Sequence, residues 1–292
     1  MIKIIKNKFG YYSVSELPSN QFLSDYYKNK YYQNESGSYS INYSEDELKY
    51  FNNKIELKFK IIENVLTINE NSSILDVGCG EGFALNFFYN KGCKIKGIDF
   101  SRFALEQFNP HLFPYFEETD FYDFAEREIT KGSKYDIIWL KHVLEHVLDP
   151  ERVIDYFNKL LNFGGIVCIE VPNDFSKSQE FLVNEGIVEE KYWVCYPDHL
   201  NYFNEFGLSN LLTSKNFKII DSISDFPIEW NLFNPVTNYV HKKEIGPIVH
   251  KSRIILENKI YEWSDKEDLV GFYRFLLKSG FGRELITFAQ KV

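Results

Sequence analysis

The chain has 292 residues, of which 44% are hydrophobic, and it carries a formal net charge of −9. This size suits one large domain or a core domain with additions. The acidic balance, with no run of basic residues, argues against nucleic acid as a partner. No apolar run approaches the ~20 residues of a membrane helix, and the lysine-interrupted start does not resemble a secretory signal. The sequence therefore predicts a cytoplasmic protein without a membrane span.

The cysteines are few and widely spaced, and they form no C-x-x-C pair: they are Cys79, Cys93, Cys168 and Cys195. This spacing disfavours both a zinc finger and a disulfide framework. Four free thiols in a reducing compartment are the expectation.

The first 70 residues differ in character from those that follow. Residues 1–45 are polar and rich in tyrosine, and their weak apolar periodicity predicts an irregular arm. From Glu45 to Leu66, apolar residues recur at helical spacing and predict a helix. We expect the arm and this helix, residues 1–70, to cap the functional site.

From residue 71 onward, short apolar runs alternate with amphipathic segments. The runs predict strands at 72–78, 94–100, 114–120, 135–140, 164–172, 217–224 and 283–292. Strands that alternate with helices in this way predict an α/β fold with a doubly wound, mostly parallel, seven-stranded sheet. Residues 71–225 are expected to form the core and 283–292 its final strand. The aromatic, mostly helical segment 226–282 is expected to be an insertion that acts as a lid.

The stretch ILDVGCGEGF (74–83) places three glycines between a strand and a helix, where the backbone can approach a ligand closely. These glycines are Gly78, Gly80 and Gly82. The dinucleotide pattern G-x-G-x-x-G would have its third glycine where this chain has Phe83. Carboxylates at Asp76 and Glu81 would repel a pyrophosphate and attract a cation. The bend therefore favours a ligand with ammonium and sulfonium groups.

Acidic residues also end the next two predicted strands. Asp99 ends the second strand, where a carboxylate in doubly wound folds accepts hydrogen bonds from ribose hydroxyls. Asp120 closes the third strand and is expected near an adenine amine, with Phe121 beside the ring. A strand-end aspartate also commonly caps the following helix, and for Asp120 both roles stay open.

Four segments together resemble the class I S-adenosylmethionine-dependent methyltransferases. They are LDVGCGEG (75–82), GIDFS (97–101), YDIIWLKHVLEHVLDP (135–150) and LNFGGIVCIEVPN (161–173). The resemblance implies a Rossmann-like fold, S-adenosylmethionine as cofactor and S-adenosylhomocysteine as product. It places Asp76, Gly78 and Gly80 near the methionine part of the cofactor and Asp99 on the ribose. The expected cofactor set also includes Cys79, Phe100, Asp120, Phe121 and Lys141.

The segment HVLEH (142–146) has the H-x-x-E-H spacing of one family of zinc peptidases, in which two histidines of one helix bind the metal. Asp149 and Pro150 predict the start of a new helix directly afterwards, so no long ligand helix fits here and the peptidase is disfavoured. The same segment resembles the motif after the fourth strand of the methyltransferases. Ubiquinone-pathway members with Glu-x-x-Glu-His there are associated with a divalent metal. This chain has His142 at the first position, and we predict no metal ligands.

Methyl transfer to a hydroxyl requires in-line alignment and removal of a proton, for which a histidine suits neutral pH. The candidate catalytic residues are His199, His146, Glu145 and His142. For Glu145 and His146 three roles stay open: both could orient the acceptor hydroxyl, one could act as the general base, or both could brace the loop after the fourth strand. His199 lies in WVCYPDHLNYF, which is expected to form either the acceptor pocket or a turn.

The segment HLNYFNEFGLSNLL (199–212) resembles a branch found in bacterial surface-polysaccharide pathways. We therefore expect O-methylation of a sugar or nucleotide-sugar hydroxyl. One alternative is O-methylation of a phenol or quinone precursor, and another is a non-catalytic S-adenosylmethionine-binding subunit. A homodimer is left open.

Overall fold

The structure, a computed structural model, describes residues 3–19, 22 and 42–292. It begins with a hairpin of two antiparallel strands, β1 (Ile4–Lys6) and β2 (Tyr12–Val14). The sequence predicted an irregular arm here, and this was wrong for the hairpin. The strands are too short to show a period, and β2 is completed by pairing with residues 201–202, far along the chain. Residues 1–2, 20–21 and 23–41 of the predicted arm lie outside the described residues.

The predicted helix after the arm is confirmed as α1 (Glu45–Glu63). Ser44 caps it in a capping box, since its side chain accepts from the Glu47 N–H while the Glu47 side chain accepts from the Ser44 N–H. Acidic residues in its first turn interact favourably with the positive end of the helix dipole. Its apolar face, including Ile55 and Ile62, is buried against the central sheet and its neighbouring helices.

Seven strands form the central sheet, as the sequence predicted. They are β3 (Ser73–Val77), β4 (Lys94–Asp99), β5 (Phe116–Glu118), β6 (Tyr135–Lys141), β7 (Leu161–Pro172), β9 (Phe217–Ser224) and β10 (Glu284–Lys291). Their order is β5-β4-β3-β6-β7-β10-β9. Only β10 runs antiparallel to its neighbours. The chain reverses its direction of winding between β3 and β6, where doubly wound folds bind ligands at the carboxyl edge.

Helices cover both faces of this sheet. The remaining helices are α2 (Phe83–Asn90), α3 (Phe103–Phe108), α4 (Phe121–Lys131), α5 (Pro150–Leu160), α6 (Lys177–Asn184), α7 (Glu205–Ser214), α8 (Gly246–Trp263) and α9 (Lys266–Ser279). Short 3₁₀ helices occupy Pro110–Tyr115, Ile228–Phe233 and Lys243–Ile245. Strand β8 (Asn201–Tyr202) joins the N-terminal hairpin as its third strand.

A hydrophobic core lies on each face of the sheet, and alternate residues of β6 are buried in one core or the other. Ile138 and Leu140 are buried in one core with α4, α5 and α7, whereas Ile137 and Trp139 are buried in the other with α1, α2 and α9. A strand buried on both faces is typical of a parallel sheet wound with helices on both sides. The segment 226–282 is mostly helical, as predicted, but its helix α9 packs on the sheet. No helix in the described ranges has the length and apolar character of a membrane span.

Two helical glycines give a matched test of how the hairpin docks. A Cβ on Gly207 in α7 would lie 2.3 Å from the backbone nitrogen of Tyr11, whereas one on Gly271 in α9 would meet nothing within 4 Å. We expect Gly207→Ala to lower the free energy of unfolding by about 1–3 kcal/mol through overpacking. Gly271→Ala should raise it by about 0.5–1 kcal/mol. Thermal or urea denaturation measures both, and a neutral Gly207→Ala would contradict the close contact.

Candidate active site

The glycine bend between β3 and α2 has a conformation that requires glycine. Gly78 and Gly82 have φ angles of 69° and 77°, in the left-handed region that side chains disfavour. A Cβ on Gly78 would lie 2.4 Å from Cγ2 of Val143, and one on Gly82 would lie 2.4 Å from Cδ1 of Leu105. The bend is therefore held tightly between the loop after β6 and helix α3.

A buried carboxylate lies at the base of this bend. Asp76 is 3% exposed, and burial together with the carboxylate of Asp99 raises its pKa to about 7, although Lys141 and Lys58 act in the opposite direction. A cation bound nearby would favour the ionised form, whereas a diphosphate would add repulsion. The bend thus fits a positively charged ligand.

Asp99 is positioned by backbone donors at the end of β4. Its Oδ2 accepts from the N–H of Gly80 at 3.0 Å, and its Oδ1 accepts from the N–H of Ser101 at 3.1 Å. Burial nevertheless raises its pKa. The adjacent Phe100 is 60% exposed, so most of its ring faces outward at this edge. A carboxylate and an exposed ring therefore stand together where a ribose and a base are expected.

Three other residues of the predicted cofactor set take part in the fold itself. The thiol of Cys79 is buried beneath the bend. Asp120 caps α4, because its Oδ1 accepts from the N–H of Tyr122 at 2.7 Å. Phe121 is 7% exposed, and its ring centre lies 5.3 Å from that of Phe157. This packing does not favour the predicted position of Phe121 beside the adenine ring, and cofactor contacts of Asp120 and Phe121 stay predictions.

An aromatic group that was missed in the sequence lies beside the bend. It consists of Tyr43, Phe51, Phe83 and Phe108, whose neighbouring ring centres are 5.0–5.9 Å apart. The hydroxyl of Tyr43 donates to Oε1 of Glu81 at 2.5 Å. Lys141, at the end of β6, lies 6.0 Å from the ring centre of Phe51. In the sequence, only Phe83 could have indicated this aromatic group, because it directly follows the third glycine. Tyr43 comes close to the bend only in the folded structure.

A buried ion pair, also missed, joins α1 to the same edge of the sheet. Lys58 of α1 pairs with Glu170 of β7, and its ammonium lies 5.2 Å from the ring centre of Trp139. Burial disfavours the ionised carboxylate, but Lys58 outweighs it and lowers the pKa of Glu170 well below its usual range. The sequence carried a signal, since a lysine at this position interrupts the apolar stripe between Ile55 and Ile62.

The segment HVLEH (142–146) is a turn, and its two histidines point to different partners. His142 has a φ of 52°, and its Nε2 lies 2.9 Å from Oε2 of Glu284. Burial disfavours the imidazolium, but Glu284 outweighs it and raises the pKa of His142. His146 instead has Nδ1 at 2.6 Å from the carbonyl oxygen of Asp198. Because the two imidazoles do not share one helix face, the zinc-peptidase arrangement is absent from this segment.

His146 belongs to a group with Glu145 and His199. The ring centres of His146 and His199 are 5.0 Å apart, and Oε1 of Glu145 lies 3.8 Å from Nε2 of His146. The backbone N–H groups of Leu200 and Asn201 donate to the carbonyl of Glu145 at 2.9 and 3.0 Å, which fixes the two loops together. Burial and then His146 lower the pKa of His199 to about 3. Three of the four predicted catalytic residues are thus adjacent.

Two groups of side chains have the donor atoms for a divalent metal. They are Glu145, His146 and His199, and His142, Glu170 and Glu284, each with its ligand atoms within 4.8 Å of one another. In the second group the carboxylates already have cationic partners, since Glu170 pairs with Lys58 and Glu284 with His142. In the first, Nδ1 of His146 is engaged by a carbonyl oxygen. The second group is therefore satisfied without an ion, whereas in the first Oε2 of Glu145 and Nδ1 of His199 are buried without a hydrogen-bond partner among the described residues.

Comparison with known proteins agrees with this geometry. Residues 50–222 match a family model described as a methyltransferase domain. The ubiquinone biosynthesis O-methyltransferase of Pelagibacter ubique (strain HTCC1062) is 30% identical over 219 residues, which are 69% of this chain and 86% of the relative. The protein of that name from Bartonella quintana (strain Toulouse) is 29% identical over 182 residues, 60% of this chain and 72% of the relative.

Among solved structures, the plantazolicin methyltransferase BpumL, in complex with a triazolic desmethylPZN analog and SAH, superposes with a TM-score of 0.51. It is 16% identical and covers 94% of this chain and 91% of its own, so the likeness concerns the fold. The sheet order, the acidic glycine bend and the family match define a Rossmann-like methyltransferase. The chain belongs to the class I S-adenosylmethionine-dependent methyltransferases, and S-adenosylmethionine is its cofactor.

The raised pKa of Asp76 predicts pH-dependent cofactor binding. Below about pH 7 the carboxyl is mostly protonated and loses its attraction for a cation, so affinity should increase as the pH rises towards 7. We expect S-adenosylmethionine to bind about tenfold more tightly at pH 7.0 than at pH 5.5, as measured by calorimetry. Asp76→Asn should bind more weakly and show little pH dependence. Equal affinity of the wild-type protein at both pH values would contradict this role.

Proposed function

We propose that the protein transfers a methyl group to a hydroxyl oxygen of a small phenol or quinone precursor. The names of its relatives, ubiquinone biosynthesis O-methyltransferases, support oxygen as the acceptor atom and a quinone-type substrate. They give no support to the sugar acceptor that we expected from the sequence. When bound, S-adenosylmethionine supplies an electrophilic methyl group on a sulfonium sulfur, so the chain has to orient the acceptor and receive its proton.

His146 is the proton acceptor in this proposal, and its hydrogen bond to Asp198 is the observation that carries it. A carbonyl oxygen can only accept, so Nδ1 of His146 bears the proton and Nε2 keeps a lone pair. The carboxylate of Glu145, 3.8 Å from Nε2, stabilises the imidazolium that forms when the acceptor proton arrives. A proton acceptor that is oriented by a further polar group is also found in enzymes with unrelated folds.

The other two histidines are less suited to the same task. His199 has a pKa lowered to about 3, so its imidazole is a weak base that stays neutral at physiological pH. His142 is engaged by Glu284, which holds it at the side of the sheet that faces α1. We assign His199 to orientation of the acceptor and His142 to bracing of the loop after β6.

Two parts of the chain are proposed to cover the acceptor. Helix α1, within the predicted cap 1–70, borders the carboxyl edge of the sheet through its Lys58–Glu170 pair. The segment 226–282 contributes a 3₁₀ helix, Ile228–Phe233, whose buried Glu229 faces Arg283 at the start of β10. Both segments therefore reach the edge at which β6 and β7 end.

A labelled-methyl assay tests the acceptor class. The protein is incubated with methyl-labelled S-adenosylmethionine and matched panels of catechols, monophenols, sugars and nucleotide-sugars, and the labelled product is analysed by mass spectrometry. Label on a phenolic oxygen is the expected result. Label on sugars alone would reject the phenol acceptor, and binding of the cofactor without transfer to any member would point to the non-catalytic alternative.

Replacement of the proposed base should affect turnover rather than cofactor binding. We expect His146→Gln to lower kcat by about 10²-fold or more, with the affinity for S-adenosylmethionine unchanged. His111→Gln is the control, because this histidine is exposed and contacts Asn86 away from the group around His146. Full turnover by His146→Gln would reject His146 as the base.

The hydrogen bond of His146 to the carbonyl of Asp198 predicts methyl transfer without a divalent ion. Protein treated with EDTA and passed through a desalting column should retain its methyl transfer rate in the labelled assay. The physical reason is that an imidazole whose Nδ1 donates to a carbonyl oxygen can accept the proton on Nε2 without the help of a metal. Activity that is lost on this treatment and restored by Mg²⁺ or Zn²⁺ would contradict the prediction.

A further inference from the structure

Glu229 is a buried carboxylate that the proposed methyl transfer does not use. It lies in the 3₁₀ helix Ile228–Phe233 and is 1% exposed. Neither of its oxygens accepts a hydrogen bond from another residue, and no cationic group lies within 4.0 Å in the described parts of the chain. A buried carboxylate without partners is costly, and such a group in a native fold requires an explanation.

The nearest guanidinium is committed to a second carboxylate. Nη1 of Arg283 lies 3.1 Å from Oδ1 of Asp174, which is fully buried and follows the end of β7. Oδ2 of Asp174 has no partner. Asp174 and Glu229 therefore share the charge of one arginine and together offer three oxygens that accept no hydrogen bond from another residue. Burial raises the pKa of each carboxyl to about 7, although Arg283 opposes this.

Asp174 adjoins the group around His146. The backbone N–H of Asp174 donates to the carbonyl of Phe203 at 2.8 Å, and the N–H of Leu200 in the same segment donates to the carbonyl of Glu145 at 2.9 Å. The charge of Glu145 also raises the pKa of Asp174. The hydroxyl of Tyr192 near Glu229 is likewise buried without a hydrogen-bond partner. Buried polar groups without hydrogen-bond partners thus extend from the region of the proposed base to the segment 226–282.

The contacts of Glu229 differ from those of a buried glutamate with a structural role in the same segment, 226–282. Glu257 of α8 is 4% exposed, but it accepts from the hydroxyl of Tyr273 at 2.8 Å and lies 3.2 Å from the ammonium of Lys54. It joins α8 to α9 and α1. Glu229 has no equivalent contacts, so the fold does not account for it.

We propose that Asp174 and Glu229 bind a hydrogen-bond-donating group of the acceptor, a hydroxyl or an ammonium, at a distance from the oxygen that is methylated. The inference rests on the proposed function, since it places this group on the same acceptor. It makes Glu229 a specificity-determining residue, which rejects acceptors with an anionic group in that position.

The first test needs no acceptor. The groups that face Glu229 are Arg283, Asp225, Glu284, Tyr192 and Tyr239. Because its pKa is raised from 4.5 to about 7 in the folded state, the folded protein binds more protons over this range, and stability is lost as the pH rises through it. Glu229→Gln should therefore raise Tm by several degrees at pH 8 and less at pH 5. Glu257→Gln, the control, should lower Tm. A lower Tm for Glu229→Gln at pH 8 would overturn the inference.

The second test uses three catechols that differ only in the tail: dopamine with an ammonium, hydroxytyrosol with a hydroxyl and 3,4-dihydroxyphenylacetate with a carboxylate. The wild-type protein should show a KM about tenfold lower for the two donor tails than for the carboxylate. Glu229→Gln should keep the preference for the hydroxyl tail and lose that for the ammonium, whereas Glu229→Leu should lose both. Equal KM values for all three tails in the wild-type protein would reject the inference. If none is methylated, the phenol acceptor fails, and the Tm comparison still decides the role of Glu229.

Discussion

The burial of one carboxylate at the end of β3 is the constraint on which the site depends. Asp76 is almost inaccessible to solvent, and a second carboxylate, Asp99, stands at the end of the adjacent parallel strand. Burial and the carboxylate of Asp99 disfavour ionisation of Asp76, and a bound cation offsets this effect. The glycine bend then brings backbone close to the same place, because Gly78 leaves no room for a side chain beside Val143. Selection for a positively charged methyl donor follows from charge and space together.

At the rest of the carboxyl edge the charged side chains are likewise arranged in pairs, some buried and some partly exposed. Lys58 pairs with Glu170, His142 with Glu284 and Arg283 with Asp174, and each pair joins two elements that are distant in sequence. Such pairs contribute little net stability, since desolvation offsets much of their attraction, but removal of one partner is costly. They specify how α1, β7 and β10 meet. The two apolar cores on either side of the sheet supply the stability that this polar edge lacks.

The sequence predicted the central sheet because strands buried on both faces appear as continuous apolar runs, which glycines and acidic residues then interrupt. It failed at the N-terminal hairpin, where β2 is completed by Asn201–Tyr202 and no local pattern announces that pairing. HVLEH shows the opposite problem, because a spacing typical of a metal-binding helix lies in a turn that sends its histidines to different partners. Glu229 could not be recognised, since only the tertiary structure shows that a charged residue in an aromatic segment is buried.

The central claim is that the acidic bend selects a cationic methyl donor over a dinucleotide. Equilibrium dialysis of the purified protein against a mixture of S-adenosylmethionine and NAD tests it most directly. The charge of Asp76 and the position of Phe83 predict that the protein retains S-adenosylmethionine stoichiometrically. NAD should reach equal concentrations on both sides of the dialysis membrane. Selective retention of NAD would contradict the account.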